Sequence, residues 1–258
     1  MLQDIHYQTT YYIIVAILTV IVIYYYDVYG INIRKKNVRF NDGTWAFLLT
    51  LFMILFIGFR PISNVFTDMT GYAYGMLDGR FETIETTWDN NYLFYPMMAF
   101  LSSHGASPQT PIVILATINY GITYIAMRKF FPNDKTLAML VFCVAFSTFS
   151  GATNGMKQGC ASAFLLAALA YRDNLLAFFF FLFFSLGFHH AMQLPIAASI
   201  VCLYYKNTKV HLFFWFVCLI ISLLHITYFQ TLLGGMTDEQ GADYLYTEAG
   251  SLRSTFSV

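Results

Sequence analysis

Charge is what this sequence has least of: Asp, Glu, Lys and Arg make up only 11% of its 258 residues. A typical soluble domain carries about 25%. With 58% hydrophobic residues, too little polar surface remains to coat an aqueous globule. Lipid is the solvent this composition requires, and lipid admits only helices or closed barrels, because every backbone polar group needs an internal partner. Strand-like alternation is missing as well. The apolar runs are continuous, as over 178–184, which argues against the alternating segments of a membrane barrel. Net formal charge is zero and no basic tail occurs, so nothing points to nucleic acid. Cysteine is scarce. Cys143, Cys160, Cys202 and Cys218 fall inside apolar runs without CxxC or metal-ligand spacing and read as small hydrophobes. No Lys or Arg precedes the first apolar stretch, only Asp4 and His6, so that stretch reads as a retained span rather than a leader.

What is present is a succession of apolar segments. A helix crosses a bilayer in about 20 residues. Eight candidate spans emerge at 9–26, 44–61, 110–127, 136–151, 155–171, 174–189, 190–205 and 210–228. The expectation is all-α: a polytopic transmembrane helix bundle forming a single domain over 1–258. A ninth apolar piece, 92–104, is too short to cross and contains Pro96, so it reads as a re-entrant or interfacial helix in the first long loop. With the N-terminus outside, loops 27–43, 128–135, 172–173 and 206–209 face the cytoplasm. These hold ten of the 14 basic residues, as the positive-inside rule asks. The long segments 62–109 and 229–258 then lie outside. The closing Ser-Leu-Arg-Ser-Thr-Phe-Ser-Val resembles the start of another span, so the sequence reads as a fragment of a longer chain.

Four basic residues break the positive-inside pattern: Arg60, Arg80, Lys157 and Arg253. An ionisable group at membrane depth is expensive, so it normally faces a bundle interior or a wet cavity. Gly151, Gly155, Gly159, Ala163 and Ala167 recur every four residues, a stripe for close helix packing. On one continuous helix Lys157 points away from that stripe, toward a cavity on the opposite side; a lysine snorkelling to the headgroups is the alternative. The pair His189-His190 stands between two spans with almost no loop. Adjacent helical residues diverge by about 100°, so the pair is not read as a metal site. It is either a hydrogen-bonded structural corner or, through His189, a partner of Lys157 and Arg60. His104, His211 and His225 show no such convergence. Cations in low dielectric bind phosphate oxygens strongly. The carboxylates and aromatics of 62–109, Asp68 and Asp89 among them, suit a hydroxyl-rich sugar. The pattern describes a site for a lipid-linked phosphosugar.

Several motifs resemble one family. Phe59-Arg60-Pro61 followed by Phe66-Thr67-Asp68-Met69-Thr70-Gly71-Tyr72 is similar to the "G-x-R-P … G-T-D-x-x-x-Y" segment of EpsG-like proteins. Asn154-Gly155-Met156-Lys157-Gln158-Gly159-Cys160-Ala161 resembles their "N-G-x-R-Q-x-x-A", with lysine in place of arginine. Phe188-His189 resembles their "F-H", and Asp89 before Tyr92-Leu93-Phe94 resembles the acidic residue ahead of their short outer helix. The resemblance implies a Wzy-type polysaccharide polymerase of the bacterial inner membrane, working in capsule, exopolysaccharide or O-antigen synthesis without a cofactor. Its substrate would be a polyprenyl-diphosphate-linked oligosaccharide in the membrane lipid, and other polysaccharide export components would be its partners. Asp68, Asp89 and His189 then become candidates for the general base. Arg60, Lys157, Gln158 and, with a weaker match, Arg253 become candidates for substrate binding. A flippase of lipid-linked glycan, an outer-leaflet glycan ligase or acyltransferase, and a structural membrane subunit are the other readings.

Overall fold

The computed structural model describes residues 6–33, 42–85, 87 and 90–224, and within these the chain is helical throughout. The helices are α1 (Tyr7–Ile33), α2 (Asp42–Gly58), α3 (Thr67–Leu77), α4 (Phe94–Ser103), α5 (Gln109–Phe130) and α6 (Lys135–Val144). They continue with α7 (Phe146–Thr153), α8 (Met156–Ala170), α9 (Leu175–Phe188), α10 (Gln193–Tyr204) and α11 (Thr208–Leu224). Short 3-10 turns occupy Arg80–Thr83 and His190–Met192.

The six prolines mark where these helices stop and start. Pro61 and Pro132 lie just past α2 and α5, Pro108 just before α5, and Pro96, Pro111 and Pro195 in the first turns of α4, α5 and α10. None sits in a helix interior, where the missing N–H and the ring clash would break the ladder. Gly79 and Gly105, at φ 70° and 66°, follow the C-caps of α3 and α4, taking the left-handed turn that ends a helix.

The protein is membrane-embedded, but its spans are not eight of equal kind. By length and composition, α5 and the Tyr7–Tyr24 window of α1 are long and apolar enough to cross a bilayer. The expected span 136–151 is two helices, α6 and α7, bent by 75°. At the bend Ala145 takes an extended ψ of 129°, and Thr148 Oγ1 donates at 2.5 Å to the Phe142 carbonyl, which also takes the Ala145 N–H at 3.2 Å. The other expected spans correspond to α2, α8, α9, α10 and α11, which over the described residues are shorter apolar helices. The expected continuous stripe is also interrupted. Gly151 belongs to α7 and Gly155 to the turn, so only Gly159, Ala163 and Ala167 share a helix. The first long loop likewise contains α3 and a 3-10 turn besides the expected short helix, which is α4.

α5 is the central helix, with α2 on one side and α8 on the other; α9 packs on α8, and α6 on α2 and α1. Named contacts fix the directions. Gln109 at the start of α5 donates to Gly58 O at the end of α2 at 2.5 Å, whereas Tyr124 near the other end reaches Gly43 O at 3.4 Å. α8 runs parallel to α5, as Cys160 Sγ to Leu115 O at 3.3 Å and the packing of Ala167 and Ala170 on Ala126 require. α9 returns antiparallel, with Ser185 Oγ donating to Ala161 O at 2.8 Å. The bundle therefore has two distinct ends. One carries Arg128, Lys129, Lys135 and Arg172. There Asp42 accepts the Lys135 and Thr136 backbone N–H groups at 2.7 and 2.8 Å, capping α6 from the start of α2. The other end gathers Tyr7, Arg60, Gln109 and Met156.

The close approach of α7 to α8 depends on Gly159. A Cβ there would sit 2.5 Å from Gly151 O, a backbone atom that cannot step aside. Gly159→Ala is expected to destabilise the detergent-solubilised protein by about 1–3 kcal/mol. Gly71→Ala, whose Cβ meets nothing within 4 Å, should leave stability unchanged or raise it by up to about 1 kcal/mol. Thermal melts of the two variants check this.

Candidate functional site

Arg60 follows the last turn of α2, in the non-helical stretch that Pro61 enforces, and points into the protein instead of lining an open cavity. It is 1% exposed. Nη1 donates to Ile57 O at 3.0 Å and Ala152 O at 3.2 Å; Nη2 donates to Thr153 O at 3.3 Å and to Met156 Sδ at 3.4 Å. The guanidinium carbon lies 5.1 Å from the Phe66 ring centre. These carbonyls end α2 and α7, where acceptors lack intrahelical partners and the helix dipole favours a cation. One buried cation thus closes two helices at the level where α8 begins.

Asp68 lies in the first turn of α3 and meets the same junction from the other side. Thr67 N–H donates to Asn154 Oδ1 at 3.1 Å, and Asp68 Oδ2 accepts from Met156 N–H at 3.3 Å. Each helix start is satisfied by a side chain from beside the other, a reciprocal capping across 88 positions of sequence. Tyr72, one turn on, donates its hydroxyl to Asp68 Oδ2 at 3.2 Å. Burial pushes the Asp68 carboxyl above the ordinary carboxylate range, and the Met156 N–H, Lys157, Tyr72 and Arg60 only partly offset this.

Lys157 is the second residue of α8 and half-buried. Its Nζ donates to the Tyr95 hydroxyl at 3.4 Å and stands 5.4 and 5.6 Å from the ring centres of Tyr95 and Phe94. Aromatic faces on α4 thus help hold the ammonium at the edge of the protein. Gln158 turns the other way: it is exposed and lines a separate concavity with Asn154, Gly155 and Ser162.

Arg60, Asp68 and Lys157, 97 positions apart at most, therefore converge on Met156. His189 caps α9, its N–H bonding Ser185 O at 3.2 Å, at a corner made by the segment leading into α4. Asn91 builds that corner. Fully buried at φ 49°, it accepts the His190 N–H on Oδ1 at 2.7 Å and the Phe94 N–H on its carbonyl at 2.9 Å. Leu93 N–H donates to Gly187 O at 2.9 Å. His104 and His211 bond nearby carbonyls, Phe100 O at 2.8 Å and Tyr205 O at 2.5 Å. Asp89, Arg253 and His225 lie outside the described residues. Among the described residues no group of three or more His, Cys, Asp or Glu gathers.

Sequence reasoning missed Tyr95 and Asn91, and it named Tyr72 only as part of the family motif. Its bond to Asp68 was findable, since the two stand at i and i+4 on a helix. Asn91 carried a weaker signal, since asparagine tolerates positive φ. Nothing in the sequence paired Tyr95 with Lys157, 62 positions away.

An ammonium, a raised carboxyl and a tyrosine hydroxyl at one edge can bind an anion and accept a proton beside it. No curated protein and no solved structure matches the chain. The model of the EpsG family matches residues 43–253, more than half of the chain. That match runs from the start of α2 past the end of α11 and takes in the whole Arg60–Asp68–Lys157 junction: the chain belongs to the EpsG family.

Proposed function

We propose that the protein is a polysaccharide repeat-unit polymerase that joins polyprenyl-diphosphate-linked oligosaccharides at the outer face of the bacterial inner membrane. The convergence of Arg60, Asp68 and Lys157 on the start of α8 is the observation that carries this reading. Family membership supports a role in polysaccharide synthesis. The basic end of the bundle, carrying Arg128, Lys129, Lys135 and Arg172, suits the cytoplasm, and in that orientation the junction and the N-terminus would lie outside.

In the reaction, an acceptor sugar hydroxyl attacks the anomeric carbon of the donor glycan. The anomeric C–O bond to the diphosphate breaks, and the diphosphate leaves with the bonding electrons. Lys157, held at the edge by Tyr95 and Phe94, stabilises the growing negative charge on the leaving oxygen. Asp68 takes the acceptor proton as general base. Its raised pKa makes it a stronger base than an exposed carboxylate, while its Met156 and Tyr72 hydrogen bonds fix its direction. Arg60, buried and committed to helix carbonyls, positions α8 rather than touching substrate. Asp89 and His189 are the remaining candidates for the base, and Arg253 and Gln158 for substrate contact.

The bend between α6 and α7 favours one other reading, since broken helices at membrane depth recur in transporters. Deleting the gene separates the two. Loss of a polymerase leaves single repeat units on the cell surface, whereas loss of a lipid-glycan flippase leaves none.

Complementation tests the residues. Lys157→Ala is expected to slow polymerisation by about 100-fold or more, with Lys157→Arg keeping part of the activity. Asp68→Asn should cost about 100- to 10,000-fold. Wild-type chain lengths from both Lys157→Ala and Asp68→Asn would overturn the assignment. The pH profile has a definite sign. Only ionised Asp68 accepts a proton, so the rate rises with pH through a midpoint above the ordinary carboxylate value of about 4, and Asp68→Asn abolishes that limb. Arg60 should behave differently. Both Arg60→Ala and Arg60→Lys leave several helix-end carbonyls unsatisfied and should cost about 2 kcal/mol or more, read as a lower melting temperature.

A further inference from the structure

On the opposite side of α8 from Lys157 lies a second concavity, of about 670 Å³, between α5, the α6–α7 bend and α8. Its polar wall is formed by Asn119 and Thr123 of α5, Thr148 and Ser150 of α7, and Gln158 and Ser162 of α8. None of its lining residues is Asp, Glu, Lys, Arg or His. The volume lies within the range of about 300–1,000 Å³ usual for ligand pockets.

Two independent observations separate it from a packing defect. The first is the bend itself. Non-helical backbone at membrane depth is tolerated where protein buries it or where it borders a water-filled cavity, and the residues just past Ala145, Ser147 and Thr148, are on the cavity wall. The second is Thr123. Elsewhere in these helices Thr19, Thr50, Thr117 and Thr153 each donate to the carbonyl four residues back, at 2.7–2.8 Å, the usual refuge of a hydroxyl in an apolar helix. Thr123 makes no such bond: the residue lines the cavity, and its buried Oγ1 has no partner among the described residues. The exposed carboxamides and hydroxyls of the wall, Ser147, Ser150, Asn154, Gln158 and Ser162, match a ligand that both donates and accepts.

The chemistry of the wall narrows the occupant. A phosphate would find no cation there and a divalent metal no carboxylate; a hydrocarbon tail would match Phe142, Ala163 and Leu166 but strand the amides, whereas a sugar ring offers both apolar faces and hydroxyls. A neutral polyhydroxylated molecule satisfies all of them. Location adds the connection. Asn154 lines the cavity while its Oδ1 accepts the Thr67 N–H beside Asp68, and Gln158 directly follows Lys157. The two sites share the first turn of α8, one facing an anion and the other a neutral polar group.

We propose that this cavity is a glycan subsite, holding uncharged sugar residues of the lipid-linked unit whose diphosphate lies at Lys157. The proposal rests on the glycosyl-transfer reading above, and the following test separates the two. The full-length protein is placed in nanodiscs after Cys202→Ser and Cys218→Ser, which remove the exposed thiols and leave Cys143 and Cys160 buried. Ser162→Cys then reports on the cavity and Thr67→Cys on the Asp68 corner, each labelled with a charged thiol reagent. The two probes are the repeat-unit oligosaccharide released from the host strain's own surface polysaccharide and inorganic pyrophosphate. The oligosaccharide is expected to slow labelling of Ser162→Cys by about threefold or more at saturation and to leave Thr67→Cys unchanged; pyrophosphate should do the reverse. Three outcomes overturn the subsite: no labelling of Ser162→Cys, which means a dry cavity; labelling indifferent to the oligosaccharide; or protection of Ser162→Cys by pyrophosphate. Failure of pyrophosphate to protect Thr67→Cys counts against the phosphate position at Lys157 and leaves the glycan result standing.

Discussion

A single buried guanidinium organises one end of this protein. Arg60 satisfies carbonyls at the ends of α2 and α7 and reaches Met156, the first residue of α8. Charge in so dry a place is costly unless hydrogen bonds surround it. Here the compensating acceptors are helix ends, which themselves need donors. The two deficits largely offset each other, Nε alone having no partner among the described residues, and the outcome fixes three helix termini relative to one another. Asp68 then adds a carboxylate to the same junction through the Met156 N–H. Lys157, one residue further, inherits its position from that arrangement.

The division of labour among the cations follows from exposure. Arg60 has almost no surface left and acts through geometry, whereas Lys157 keeps its ammonium at the edge, steadied by Tyr95 and Phe94. A lysine in this place supplies charge without the planar fork of an arginine, so the aromatic contacts take over part of the task of holding direction. That is a physical reason for the dense aromatic cluster of α3, the 3-10 turn Arg80–Thr83 and α4, where Tyr72, Phe81, Phe94 and Tyr95 pack on one another.

Much of the fold was legible because lipid makes strong demands. Low charge and continuous apolar runs were enough for the helices, and the prolines and polar turns fell at their ends. The same signal was blind to breaks. Residues 136–151 carry no charge, and the bend at Ala145 is marked only by the small hydroxyls that follow it, Ser147, Thr148 and Ser150, which a straight helical span also tolerates; Thr148 bonds back to the Phe142 carbonyl from inside the run. For the site, charge that violated the topology singled out Arg60 and Lys157, which the fold brings to one junction at Met156. Their contrasting roles could not be read, because burial depends on which carbonyls and rings the fold brings from 62–96 positions away. Asp68 was singled out by resemblance, but its tie to Met156 is purely tertiary.

The shortness of α8 and α9 has a mechanical consequence. Fifteen and fourteen residues rise about 22 and 21 Å, well under the hydrocarbon thickness of about 30 Å. Surrounding lipid must dip to meet them, at a modest energy for each ångström of mismatch. The dimple lies next to the turn of α8 that bears Lys157. For the lipid-linked substrate proposed above, such thinning would lower its headgroup toward Lys157, giving the bilayer a share in delivery.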